Sequence, residues 1–183
     1  CTTPEERTEL WNALRSLLNK HRQFPDAQWS LPSESLDRLE LTYSRLEPED
    51  EVERFTWLFE NDWPLFPDGR PEDHEDFQRI VAEARRNALH EIYRIGGIDS
   101  LSRLVRQAEQ SYHLGLYAAE DLVEPEIEHW VLEAALGNDE DRISHFALAF
   151  VGRRQCMQEH WFDQRLEQAL IEQWGTHKLV QLC

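Results

Sequence analysis

The sequence predicts an all-α protein, and three observations carry that expectation. Apolar residues recur at spacings of three and four along most of the chain. Helix-start residues such as Thr, Asp and Pro, and helix-stop glycines, bracket those stripes. No window sustains the alternation of apolar and polar residues that a half-buried strand needs. The expected architecture is an irregular α-solenoid or, second, a multi-helix bundle, with about nine or ten helices in either case.

Thr3-Pro4-Glu5-Glu6 reads as a complete helix start, with Thr3 as N-cap, Pro4 in the first turn and Glu6 closing a capping box. Leu10, Trp11, Leu14, Leu17 and Leu18 then fall on one face, and Phe24-Pro25 ends the helix because the residue before a proline leaves the helical region. Ser33 is the expected cap of a second helix, carrying Leu36, Leu39, Tyr43 and Leu46. Pro48 is the expected start of a third, with Val52, Phe55, Leu58 and Phe59 inward.

Residues 61–71 hold three of the eight prolines and a glycine. They read as a structured loop in which Trp63, Leu65 and Phe66 pack on helices. The chain is expected to form a single all-helical domain over 1–183. A subdomain seam, if present, falls at 61–71, between N-terminal helices in 1–60 and a repeat-like part in 72–183.

From Glu72 onward, Phe77, Ile80, Val81, Ala84, Ala88, Leu89, Ile92 and Tyr93 form the longest stripe, stopped at Gly96-Gly97 by a left-handed C-cap. Asp99 is the expected cap of a helix with Leu101, Leu104, Val105 and Ala108. Further helices are expected over Tyr112–Leu122, from Pro125 to Gly137, from a cap at Asp139 through Phe150, and from Trp161 to about Trp174-Gly175. The stop glycines Gly97, Gly137 and Gly175 recur about every 40 residues, a period that suits stacked helix pairs or triplets.

The composition excludes whole classes. A chain of 183 residues with 40% apolar and 10% aromatic residues is neither disordered nor fibrous. At this length roughly 70% of the unfolded chain's surface is buried on folding, so no disulfide or metal staple is needed. Thirty-six acidic residues stand against 17 Arg and two Lys, for a net charge of −17. A general nucleic-acid face needs the opposite balance. The uncharged run Ile143–Gly152 is about half the length of a membrane span. Three cysteines, Cys1, Cys156 and Cys183, make no disulfide framework, and the expected compartment is the cytoplasm. The alternative is a lipid anchor on Cys1, which Cys1-Thr2-Thr3 would suit.

Chemistry-bearing patterns are sparse. Glu126 and His129 have the i,i+3 spacing of a di-iron ligand pair, and Cys156 and His160 the i,i+4 spacing of half a zinc site. Neither has a second pair to complete it. The plainer reading makes Cys156 a soft core residue beside an exposed histidine. No G-x-S-x-G or H-E-x-x-H sequence occurs. The expectation leans away from an enzyme and names no cofactor. Of the seven tryptophans, Trp11, Trp130 and Trp161 lie in or beside apolar stripes and read as core. Trp29 and Trp63 lie in proline-bearing loops and are the candidates for partner contact, with loop anchoring as the alternative.

The stretch Arg86 to Val105, RNALHEIYRIGGIDSLSRLV, resembles an armadillo- or HEAT-type helical repeat unit. Gly96, Gly97, Ile98, Leu101 and Leu104 occupy the places where such a unit has Gly-Gly-Ile followed by Leu-x-x-Leu. The resemblance implies that these residues are structural and that the concave face of the stack binds a partner. His21 to Asp26 before Trp29, together with Trp57-Leu58-Phe59, resembles helical regions of large bacterial STAND-type NTPase proteins. There is no G-x-x-x-x-G-K-[ST] sequence, so NTPase activity would have to lie outside this chain. The expected function is a non-catalytic protein–protein interaction or scaffold module, the expected partner being another protein or the rest of a parent chain. The alternative is a small metal-binding or enzymatic helical bundle.

Overall fold

The computed structural model describes residues 3–71, 73–122, 124–135, 140–161, 163, 164 and 167, and every regular element among them is helical. Helix α1 spans Pro4–Gln23, α2 Ser33–Leu46, α3 Glu51–Phe55, α4 His74–Gln107, α5 Ser111–Asp121, α6 Pro125–Trp130 and α7 Asp141–Met157. A 3₁₀ turn, Thr56–Phe59, continues α3, and one π-helical turn, Val131–Ala135, continues α6. Among the described residues no helix is long and apolar enough to cross a membrane. Cys1, Gly137, Asp139, Trp174, Gly175 and Cys183 lie outside the described residues, as does most of the helix expected after Trp161.

The first helix starts as its sequence dictates. Thr3 accepts from the Glu6 N–H, and Glu6 accepts from the Thr3 N–H at 2.8 Å. Other starts differ from expectation. Pro32 precedes α2 and Ser33 makes no capping bond, because the proline already sets the backbone for the turn. The third helix begins at Glu51 rather than Pro48, since Asp50 accepts from both the Val52 and Glu53 N–H groups at 3.0 Å and is the stronger cap. Leu10, expected inward, is exposed, and Arg15 takes a buried place on the inner face of α1 beside Trp11, Leu14 and Leu18.

The two helices expected on either side of Gly96-Gly97 form one element, α4, broken at Gly97 (φ 60°, ψ −145°). Those angles lie in the mirror image of the extended region, which only glycine enters readily, and not in the left-handed helical region. Asp99 therefore lies inside the second segment and does not cap it. Gly96 is needed for space: a side chain there would overlap Ser100, whose hydroxyl donates to Glu51 of α3. That bond ties the break to α3.

Helix α4 is the axis of the fold, in contact with α3, the 3₁₀ turn, α5, α6 and α7. The most extensive helix pair is α5 on α7, where Gly115 faces the Phe146 carbonyl and the Ala149 methyl so closely that no side chain would fit. Buried apolar residues from Trp11 to Trp161 form one cluster, including Val52, Phe59, Leu89, Leu101, Leu114 and Phe150. Each such fully buried side chain contributes roughly 1.5–3 kcal/mol of transfer free energy. The cluster draws on both sides of the 61–71 stretch.

Arginines close several helix ends. Arg7 donates to the carbonyls of Arg45, Leu46 and Glu47 at the end of α2. Arg142 donates to those of Arg106 and Gln107 at the end of α4. Buried Arg85 donates to Leu58 and Asn61, both at 2.8 Å, and so holds the end of the 3₁₀ turn.

Candidate functional site

A cleft of about 340 Å³ opens where α1, α2, the 3₁₀ turn, the 61–71 loop and α4 meet. Five aromatic rings line it: Trp11 from α1, Tyr43 from α2, Phe55 from α3, Trp57 from the 3₁₀ turn and Phe66 from the loop. Trp11 and Tyr43 stack with ring centres 5.1 Å apart and planes within 6°. Trp57 meets Phe66 edge-on at 5.4 Å, and its indole N–H donates to the Arg54 carbonyl at 2.9 Å, which fixes the ring. Phe66 is held in turn by Asn19, whose side-chain amide donates to the Phe66 carbonyl at 2.8 Å.

Behind the rings lies Arg15, only 5% exposed, with its guanidinium 4.1 Å from the centre of Trp57 and 5.2 Å from that of Trp11. It donates to Asn12 at 2.7 Å, its Nε finds no acceptor, and no carboxylate among the described residues reaches it as an ion pair. Burial accordingly lowers its pKa from the ordinary arginine value to about 10, an effect that Tyr43 and Glu60 partly offset. Burial pushes the Tyr43 hydroxyl up to about 12, against the influence of Arg15 and with that of Glu47 and Asp68. Both shifts have the same origin, a dry aromatic environment that disfavours charge.

Glu47, Asp68 and Glu91, which also line the cleft, come from the end of α2, the loop and α4 respectively. Arg54 reaches Glu47 Oε1 at 3.5 Å and Glu91 Oε1 at 2.9 Å. Arg22 reaches Asp68 Oδ1 at 3.1 Å and Glu40 at 2.6 Å. The site is therefore an aromatic trough lined also by three carboxylates, each paired with Arg54 or Arg22. The chain's own Arg15 already lies over the Trp11 and Trp57 rings, so what the trough offers a partner is apolar aromatic contact beside carboxylates that are paired with Arg54 and Arg22.

The residues singled out in the sequence lie elsewhere. Trp29, half exposed, sits edge-on to His21 at 5.4 Å and to Phe24 at 5.9 Å, with the Lys20 ammonium 5.0 Å above it. Trp63 stacks on Phe77 at 5.3 Å, with Arg70 over its ring at 4.3 Å. Both rings fasten their loops, and they do so in separate clusters. A second cleft of about 480 Å³ adjoins the Trp29 loop at His21, Leu31 and Leu36, without an aromatic wall of comparable extent.

The metal candidates do not gather. Glu126 accepts from the Tyr93 hydroxyl at 3.1 Å, and His129 is exposed. Cys156, expected in the core, is exposed and free, because Arg154 takes the inward position on that part of α7. His160 is exposed as expected, 3.9 Å from Asp163. Among the described residues no group of three or more His, Cys, Asp or Glu side chains is placed to hold a metal ion.

Sequence reading missed the cleft because Trp11, Tyr43 and Phe55 carry the signature of core stripes. Their register with Glu47, Asp68 and Glu91 exists only after α1, α2 and α4 pack. Compared with known proteins, the chain matches no family model, no curated protein and no solved structure.

Proposed function

We propose that this chain is a non-catalytic interaction module that engages a basic protein segment, supplied by another protein or by a further part of a longer chain. The observation that carries the reading is the aromatic cleft bordered by three carboxylates on a chain of net charge −17. A negative surface field raises the encounter rate with basic partners, and an aromatic trough provides the apolar contact that holds one in place. The resemblance of Arg86–Val105 to a HEAT or armadillo unit points the same way, toward a helical-repeat scaffold acting in the cytoplasm of a bacterium as part of a larger protein. The test is binding of a panel of fluorescent peptides, equal in length and either basic, neutral or acidic, at low and physiological ionic strength. Basic peptides should bind, and more weakly as salt is added. Equal binding of the acidic peptides, salt-independent affinity, or no binding of any basic peptide would reject the proposal.

A further inference from the structure

We infer that His21 is a proton-sensitive latch: its neutral imidazole fastens the 24–32 loop to the end of α1, and protonation releases that loop. Among the described residues two hydrogen bonds run from the loop to α1, and both end on His21. The Ser30 hydroxyl donates to its carbonyl at 3.1 Å, and the Leu31 N–H donates to its Nδ1 at 3.1 Å. The residue is buried, and Trp29 sits edge-on to its ring. A ring nitrogen that accepts from a backbone N–H presents a lone pair, so the neutral imidazole holds its proton on Nε2.

Protonation adds a hydrogen to Nδ1 and turns the acceptor into a donor. Two donors cannot share that contact, so the Leu31 N–H loses its partner as pH falls. The surrounding charges do not replace the bond. On α1, Lys20 lies 5.0 Å from the centre of the Trp29 ring, and Arg22 is paired with Glu40 of α2 and Asp68 of the 61–71 loop. Asp37 of α2 lines the same cleft of about 480 Å³ as His21, and Asp26 is the titratable residue of the 24–32 loop itself. The carbonyls that end α1 favour a positive charge on His21, so the proton is taken up at the expense of the loop.

That loop carries Phe24 and Trp29, both half exposed, and its Pro25, Ser30, Leu31 and Pro32 form one wall of the cleft. Release opens the cleft and loosens the cluster around Trp29. Helices α1 and α2 stay joined by the Trp11–Tyr43 stack and the Arg22–Glu40 pair.

The experiment follows the full chain by NMR between about pH 8 and pH 5, the range in which histidine ordinarily changes charge. It reads the His21 ring, the Trp29 indole N–H and the exchange protection of the Leu31 amide. Protection of Leu31, corrected for the intrinsic pH dependence of exchange, should fall about tenfold as the His21 ring titrates. The Trp29 resonance should move with the same midpoint, while the Leu18 amide in the body of α1 keeps its protection. His21→Asn supplies a side-chain carbonyl near the place of Nδ1 that does not titrate, and should hold Leu31 protected across the range. His21→Phe, a ring without an acceptor, should leave Leu31 unprotected throughout.

A His21 ring that titrates without a change at Leu31, or that stays neutral down to about pH 5, would overturn the latch. So would an equal acid response in His21→Asn, which would place the switch on Asp26 or Asp37. Should a variant fail to fold, the coincidence or separation of the His21 and Leu31 midpoints in the parent chain still decides.

Discussion

Two buried arginines do opposite things in this molecule. Arg85 satisfies two carbonyls at the end of the 3₁₀ turn, so its removal strands acceptors as well as losing charged donors. Among the described residues Arg15 pairs with no carboxylate and its Nε meets no acceptor. Arg85→Met should therefore cost about 2–4 kcal/mol, measured by urea unfolding, whereas Arg15→Met should stay within about 1 kcal/mol of the parent. The same neighbourhood sets an alkaline response. Tyr43 has its pKa raised from 10.0 to about 12, so its contribution is fully present below pH 10 and lost as pH rises through about 12. Arg15, lowered from 12.5 to about 10, acts in the opposite sense across that window, gaining stability for the fold as it deprotonates. In Tyr43→Phe the urea midpoint should fall less between pH 10 and 12 than it does in the parent. None of these roles was legible in the sequence. An arginine inside an apolar stripe looks the same whether it ends on carbonyls, on rings or in solvent.

At the scale of elements the sequence was more informative. The capping box at Thr3 and Glu6, the proline start of α6 and the stripe from Phe77 to Tyr93 all appear as read. These signals are local, since each needs only neighbours within a turn or two. Ser33 and Asp99 misled because a cap is defined by backbone angles that Pro32 and Gly97 control. Helix contacts were not legible either, and Gly115 shows why: the residue sits inside α5 as an ordinary helix glycine until α7 arrives beside it. Gly115→Val should push α5 off α7 and cost about 2–3 kcal/mol. Gly97→Ala meets no neighbouring atom, so its cost, about 2 kcal/mol, should come from backbone angles alone. Thermal unfolding of the two variants checks both; a neutral Gly97→Ala would show that the break relaxes into continuous helix.

For the whole molecule, the all-α class was legible because period and breakers both act along the chain, while the meeting of α1, α2 and α4 around the cleft depends on tertiary packing. The net charge of −17 is likewise distributed by the fold rather than by the sequence order. Arg54 and Arg22 pair with Glu47, Glu91 and Asp68, the three carboxylates that line the aromatic cleft. The arginine-closed helix ends have a dynamic consequence. The last carbonyls of α2 and α4 are completed by Arg7 and Arg142, which belong to other helices 35 to 40 positions away in the chain. Such ends cannot fray independently, because opening them breaks contacts between elements. Amide hydrogen exchange should therefore find the last turns of α2 and α4 slowing together with the core and exchanging by the same global opening, and Arg7→Ala should release the end of α2 alone.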